Sequence, residues 1–179
     1  GNTTDITRAL EYMGLLDIAR EFFLFMSRQQ SPDGSFRVRH HPETLYYEMW
    51  GYNLWGWAKH YALTRDEAFL RAVYPGVRRA MAWQAATVSR DPLGLWTPAT
   101  VADDAFLKDC RQTGQHVWGL IGLRSAIKLA QAMGDEADVA QFEAQYARFR
   151  AAFEALLARQ TAQTGGYIPP ALERTTAGN

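Results

Sequence analysis

Cys110 is the only cysteine in 179 residues, so neither an internal disulfide nor a thiolate metal cluster can form. The missing disulfides do not fix a compartment. Long apolar runs are also absent. The longest, 22–26, covers five residues, where a membrane-spanning helix needs about 20. No signal-like segment opens the chain. Neither charge is in excess: 19 Lys and Arg face 19 Asp and Glu, which leaves no net field to draw the chain to nucleic acid or anionic lipid. Neither nucleic acid nor membrane is therefore expected as a partner. Glycine-rich phosphate loops are lacking, and His40-His41 stands without a partner motif while His60 and His116 fall inside helical patterns. No metal and no cofactor are expected. Alternating apolar and polar runs are missing as well, so no convincing strand is predicted.

What is present is helical periodicity on a chain with 47% hydrophobic residues, enough for one globular domain over 1–179. The chain opens on Gly1 rather than Met and stops at Thr176-Ala177-Gly178-Asn179, which reads as an excised piece of a longer protein. Six helices are predicted, over about 5–13, 16–29, 45–63, 66–88, 113–133 and 135–160, the first capped by Thr3 or Thr4 and stopped at Gly14. Pro75 is expected to kink or restart the fourth. Connections alternate between very short (Gly14, Thr64-Arg65, Gly134) and long (30–44, 89–112). Each short turn makes an antiparallel αα-hairpin. All long loops then gather on one side, together with the N-termini of the first, third and fifth helices.

The third helix is rich in rings. Residues 46–61 (YYEMWGYNLWGWAKHY) hold seven aromatic side chains and one acid, Glu48. Rings pack against the flat C–H faces of pyranoses, and glycoside chemistry needs carboxyl groups near the scissile bond. Trp50, Leu54, Trp57 and Tyr61 share one stripe, preceded a turn earlier by Tyr47, whereas Tyr52 and Trp55 fall off it.

Several segments carry a resemblance: Gln30-Ser31-Pro32-Asp33-Gly34-Ser35-Phe36; Leu63-Thr64-Arg65-Asp66-Glu67-Ala68-Phe69-Leu70 with Tyr74-Pro75 and Trp83; Asp91-Pro92-Leu93-Gly94-Leu95-Trp96; and Trp118-Gly119-Leu120 leading to Leu129-Ala130-Gln131-Ala132-Met133-Gly134-Asp135. From about residue 5 to 157 the chain resembles the six-hairpin glycosidases, whose catalytic domain is an (α/α)6 toroid. The resemblance implies an all-α fold in which three antiparallel αα-hairpins form a partial (α/α)6 toroid, about half of the whole. It also implies exposed hairpin flanks and therefore self-association. In glucoamylase-like members a glutamate acid directly follows Gly-Leu-Trp. Here Thr97 stands after Gly94-Leu95-Trp96 and cannot donate a proton at useful pH, so that role is not carried over.

The catalytic candidates are Glu48, in the first turn of the aromatic helix, and Asp104. Tyr46, Tyr47, Trp50, Trp96, Asp103, Asp109 and Arg111 are the candidates for holding a carbohydrate substrate, with Arg111 orienting a carboxylate. A surface salt-bridge cluster competes for the 101–111 segment. Asp33 and Asp91 read as turn formers. The functional expectation is part of a glycoside hydrolase catalytic domain, a fragment not necessarily active by itself. The alternatives are a non-catalytic helical-repeat module binding a peptide or protein, and a polysaccharide lyase on the same scaffold with a Tyr or His base.

Overall fold

The structure, a computed structural model, describes residues 2–38, 41–99 and 109–174. Six helices carry it: α1 (Asn2–Tyr12), α2 (Leu16–Arg28), α3 (Tyr47–Thr64), α4 (Glu67–Val88), α5 (Thr113–Met133) and α6 (Glu136–Gln163). Each ends within a few residues of its predicted bound, because the stop signals act locally. Gly14 (φ 81°) and Gly134 (φ 70°) take the left-handed conformation that glycine adopts without steric cost. Arg65 takes the same conformation with a side chain, at φ 55°, and its N–H donates to the Tyr61 carbonyl at 2.8 Å. Asp66 and Asp135 cap the helices that follow, accepting from the N–H groups of Phe69 at 2.9 Å and Asp138 at 3.0 Å. One local expectation is corrected: helix α1 begins at Asn2, so Thr3 and Thr4 lie inside it and not ahead of it. Pro75 lies within a continuous α4, so the helix does not restart there.

Among the described residues, four short strands depart from the expectation of none. β1 (Arg37–Val38) pairs antiparallel with β2 (His41–Leu45), and β3 (Cys110–Gln112) pairs antiparallel with β4 (Ala171–Arg174). They are too short for an alternating pattern to register, and β3 meets its partner only after α5 and α6 have intervened.

The helices form three pairs. Thr4 lies against Gly56 and Glu11 bonds His60, so α1 runs alongside α3 in the same direction. α3 and α5 are also parallel: Gly51 meets Trp118 and Gly122, and further on Ala62 faces Lys128 across a shared groove. α4 returns antiparallel to α3, with Trp50 beside Ala80 and Trp57 beside Gly76. The three short turns therefore share one end, and both small sheets lie with the long connections at the other.

The closest approach is α3 to α5. A Cβ on Gly51 would run into the Trp118 carbonyl, and one on Gly122 would lie 2.8 Å from the Cα of Gly51. Around this contact the core is continuous. Trp50, Leu54 and Trp57 of α3, with Leu70, Val77 and Met81 of α4, meet Leu123 of α5 and Phe149 and Phe153 of α6. Burying side chains of this size contributes roughly 1.5–3 kcal/mol each.

Candidate functional site

The long-loop end is built around a stack of rings. Tyr47, in the first turn of α3, lies parallel to Trp96 at 5.0 Å between centroids, and its hydroxyl is 2.8 Å from Thr97 Oγ1. Trp96 also meets Trp50 edge-on at 5.7 Å and Phe149 at 5.2 Å. Trp50 donates its indole N–H to the Ala80 carbonyl at 2.9 Å. Sequence spacing thus brings Tyr47, Trp50 and Trp96 together, but as core: Trp50 and Trp96 are 1% and 0% exposed and offer no face to a sugar. For those two rings the reading as sugar platforms is corrected. Their side of α3 is the one covered by α4 and the 96–97 segment.

Arg111 is committed too. Its guanidinium donates to Asp91 at 2.5 Å, to Glu173 of β4 at 2.5 Å, and to the Trp96 carbonyl. Both Arg111 and Asp91 are almost wholly buried, so this arginine ties three segments of the protein together instead of reaching for a ligand. Asp91 also receives the N–H of Leu93 at 2.9 Å, the expected turn. Asp109 has a left-handed backbone (φ 55°) and joins its N–H to the Ala99 carbonyl at 2.7 Å as the chain enters β3. Asp103 and Asp104 lie outside the described residues. Tyr46 precedes α3 as its N-cap and Glu48 lies in its first turn, both half-buried.

Beside the ring stack opens a cleft of about 540 Å³, lined by Asp33, Arg37, Tyr47, Trp83, Arg90 and Thr97 among others. Asp33 forms the predicted turn, accepting the N–H of Ser35 at 2.9 Å and its hydroxyl at 2.6 Å, with Arg37 at 3.2 Å. Burial works to raise the Asp33 pKa, but the Ser35 and Arg37 hydrogen bonds outweigh it and hold the carboxyl below its ordinary range. This acid is therefore ionised at neutral pH. It acts as an acceptor and not as a proton donor.

Two buried histidines have structural partners. His60 Nδ1 is 2.6 Å from Glu11, which also pairs with Arg8, and the imidazole packs on Phe69. His116 stacks on Phe149 and Phe153, with Nδ1 2.8 Å from the Gln112 carbonyl. Burial pulls its pKa down to about 4, so at neutral pH it donates to that carbonyl as a neutral ring. Among the described residues no group of three or more His, Cys, Asp or Glu is placed to hold a metal ion, and no helix is long and apolar enough to cross a membrane.

A second concavity lies along the open side of α3 and α5. It encloses about 290 Å³ and is lined by Trp55, Ala58, Lys59, Ile121, Arg124 and Lys128 among others. It continues past Ala62 towards Arg65 and Ala132. At its head Tyr52 stacks on Trp118 at 3.7 Å, and Trp55 meets Trp118 edge-on at 5.8 Å. These three rings are half-buried, and the expected site residues do not include them. The signal that finds them is their position off the stripe, which turns them to the side that α4 leaves uncovered.

No protein-family model, curated protein or solved structure matches the chain.

Proposed function

We propose that the chain is part of a glycoside hydrolase catalytic domain of six-hairpin type, its three helix pairs forming half of an (α/α)6 toroid that acts on a carbohydrate by carboxylate acid/base chemistry. The observation that carries this reading is the segregation of the two ends: three tight turns at one, and at the other the long connections, both small sheets and the cleft beside Tyr47 and Trp83. Rigid helices bearing irregular segments at one end are the usual setting of a binding site. Trp83 and Tyr47, 9% and 6% exposed, present the edge of their rings at the cleft. Asp33, Arg37, Thr97 and Arg90 supply the polar groups that fix a sugar's orientation. Glu48 and Asp104 are the proposed acid/base pair, since Thr97 cannot serve.

Glycan-array binding by the folded chain tests this. Binding abolished by Trp83→Ala, and a hydrolytic activity abolished by Glu48→Gln with the melting temperature retained, are expected. An array without a bound glycan, or glycan binding indifferent to Trp83→Ala, overturns the reading.

One observation favours a second reading, a helical module that binds a protein partner. The groove runs between α3 and α5, parallel helices from two different helix pairs, and lies away from the cleft.

A further inference from the structure

Two surfaces of this chain match one another. Of the eleven large hydrophobic side chains exposed among the described residues, seven lie between Ile6 and Phe25. Leu15, Ile18, Phe22 and Phe25 follow one another at helical spacing on and just before α2, so they form one stripe. Ile18 is 55% and Phe25 43% exposed. The exposed acids Asp17 and Glu21 lie within the length of the stripe. Arg20 is drawn to Asp66 at 2.7 Å and to Glu21 at 3.0 Å, and Arg28 follows the stripe at the helix end.

The α2 stripe thus carries both signs of charge, whereas the α3–α5 groove carries one. Its floor is small and apolar, with Ala58, Ala62 and Ile121, and its rim carries Lys59, Arg65, Arg124 and Lys128 with no acid among the lining residues. None of these four cations makes an ion pair among the described residues. The dimensions agree as well. Leu15 to Phe25 and Trp55 to Arg65 are equal steps along a helix, each about 15 Å at 1.5 Å per residue. The cations are spread along both walls instead of converging on one point, which suits a helix laid lengthwise better than a single small anion.

We propose that a second copy of this chain seats its α2 stripe in the α3–α5 groove. The contact is heterologous, because stripe and groove are different patches. Every copy in an assembly therefore has one of each to offer. The inference rests on these two surfaces alone and stands whether or not the glycosidase reading does.

Sedimentation velocity over a wide concentration series tests it, with two double variants at exposed positions. The unsubstituted chain is expected to form species larger than a monomer. Ile18→Asp/Phe25→Asp, which spoils the stripe, and Lys59→Glu/Arg124→Glu, which spoils the groove, should each lose those species while keeping the parent's helical circular dichroism and melting temperature. An equimolar mixture of the two variants retains one intact stripe and one intact groove, so it should give dimers and nothing larger. A chain that stays monomeric throughout, oligomers that survive both double substitutions, or a mixture that does not pair would each overturn the proposal.

Discussion

On the closed side of α3, Trp50 and Trp57 are covered by α4 and by Trp96 and Phe36, and Trp50 spends its N–H on a backbone carbonyl. On the open side Tyr52 and Trp55 keep part of their rings in solvent, beside Lys59. Aromatic residues two positions apart thus do different work. The closed side spends its rings on packing and leaves no surface for a ligand. Only the open side and the end of the helix remain available for recognition, which is why ring density by itself misplaces a binding site.

The sharpest test of this contrast is truncation on each side. Trp50→Ala should cost about 3–5 kcal/mol in urea unfolding, since it empties a close-packed site and removes the indole's hydrogen bond to the Ala80 carbonyl, whereas Trp55→Ala should cost less than about 1 kcal/mol. Equal losses would mean that the two sides are not distinct. The arginines extend the contrast. Arg111→Met leaves Asp91 as an uncompensated buried charge and should cost about 3–5 kcal/mol. Arg78→Met, at the solvent-exposed pairs with Asp135 and Asp138, should leave the unfolding midpoint where it was.

His116 gives the closed side a pH signature. Its folded pKa, about 4, lies below the ordinary 6.5. Between these values the unfolded chain binds a proton that the folded chain refuses, so stability must fall as pH drops from 6.5 to 4 and level off below. The loss is on the order of 3 kcal/mol. His116→Gln should flatten that part of the stability–pH curve, while a slope unchanged by the substitution assigns it to other groups. A smaller loss than at Trp50, Arg111 or His116 is expected at Tyr47. Tyr47→Phe keeps the stack on Trp96 and removes the contact with Thr97, for about 1 kcal/mol in the same unfolding measurement.

The helices were legible in the sequence because their signals are local: a 3.6-residue apolar period, glycine at 14 and 134, aspartate at 66 and 135. The turns at Asp33 and Asp91 were legible for the same reason. The strands were not, since β3 pairs with β4 across two intervening helices and only three residues of β3 take part. Arg111 was misread by the same mechanism. Its local neighbours Asp103, Asp104 and Asp109 suggested a surface cluster, but its partners Asp91 and Glu173 come from distant segments. At α3 the period correctly separated one face from the other. What it lacked was the knowledge that α4 covers the stripe and that nothing among the described residues covers Trp55 and Lys59 to the same degree.

The glycine contact between α3 and α5 has a mechanical consequence. With Gly51 against the Trp118 backbone and Gly122 against Gly51, the two helices touch main chain to main chain. Sliding one past the other by even one residue would bring a side chain to where only hydrogen fits. The walls of the groove are thus a single stiff bar whose width is set by the backbone and not by rotamers. Motion that changes the shape of this protein has to be sought in how the outer helices rest on that bar.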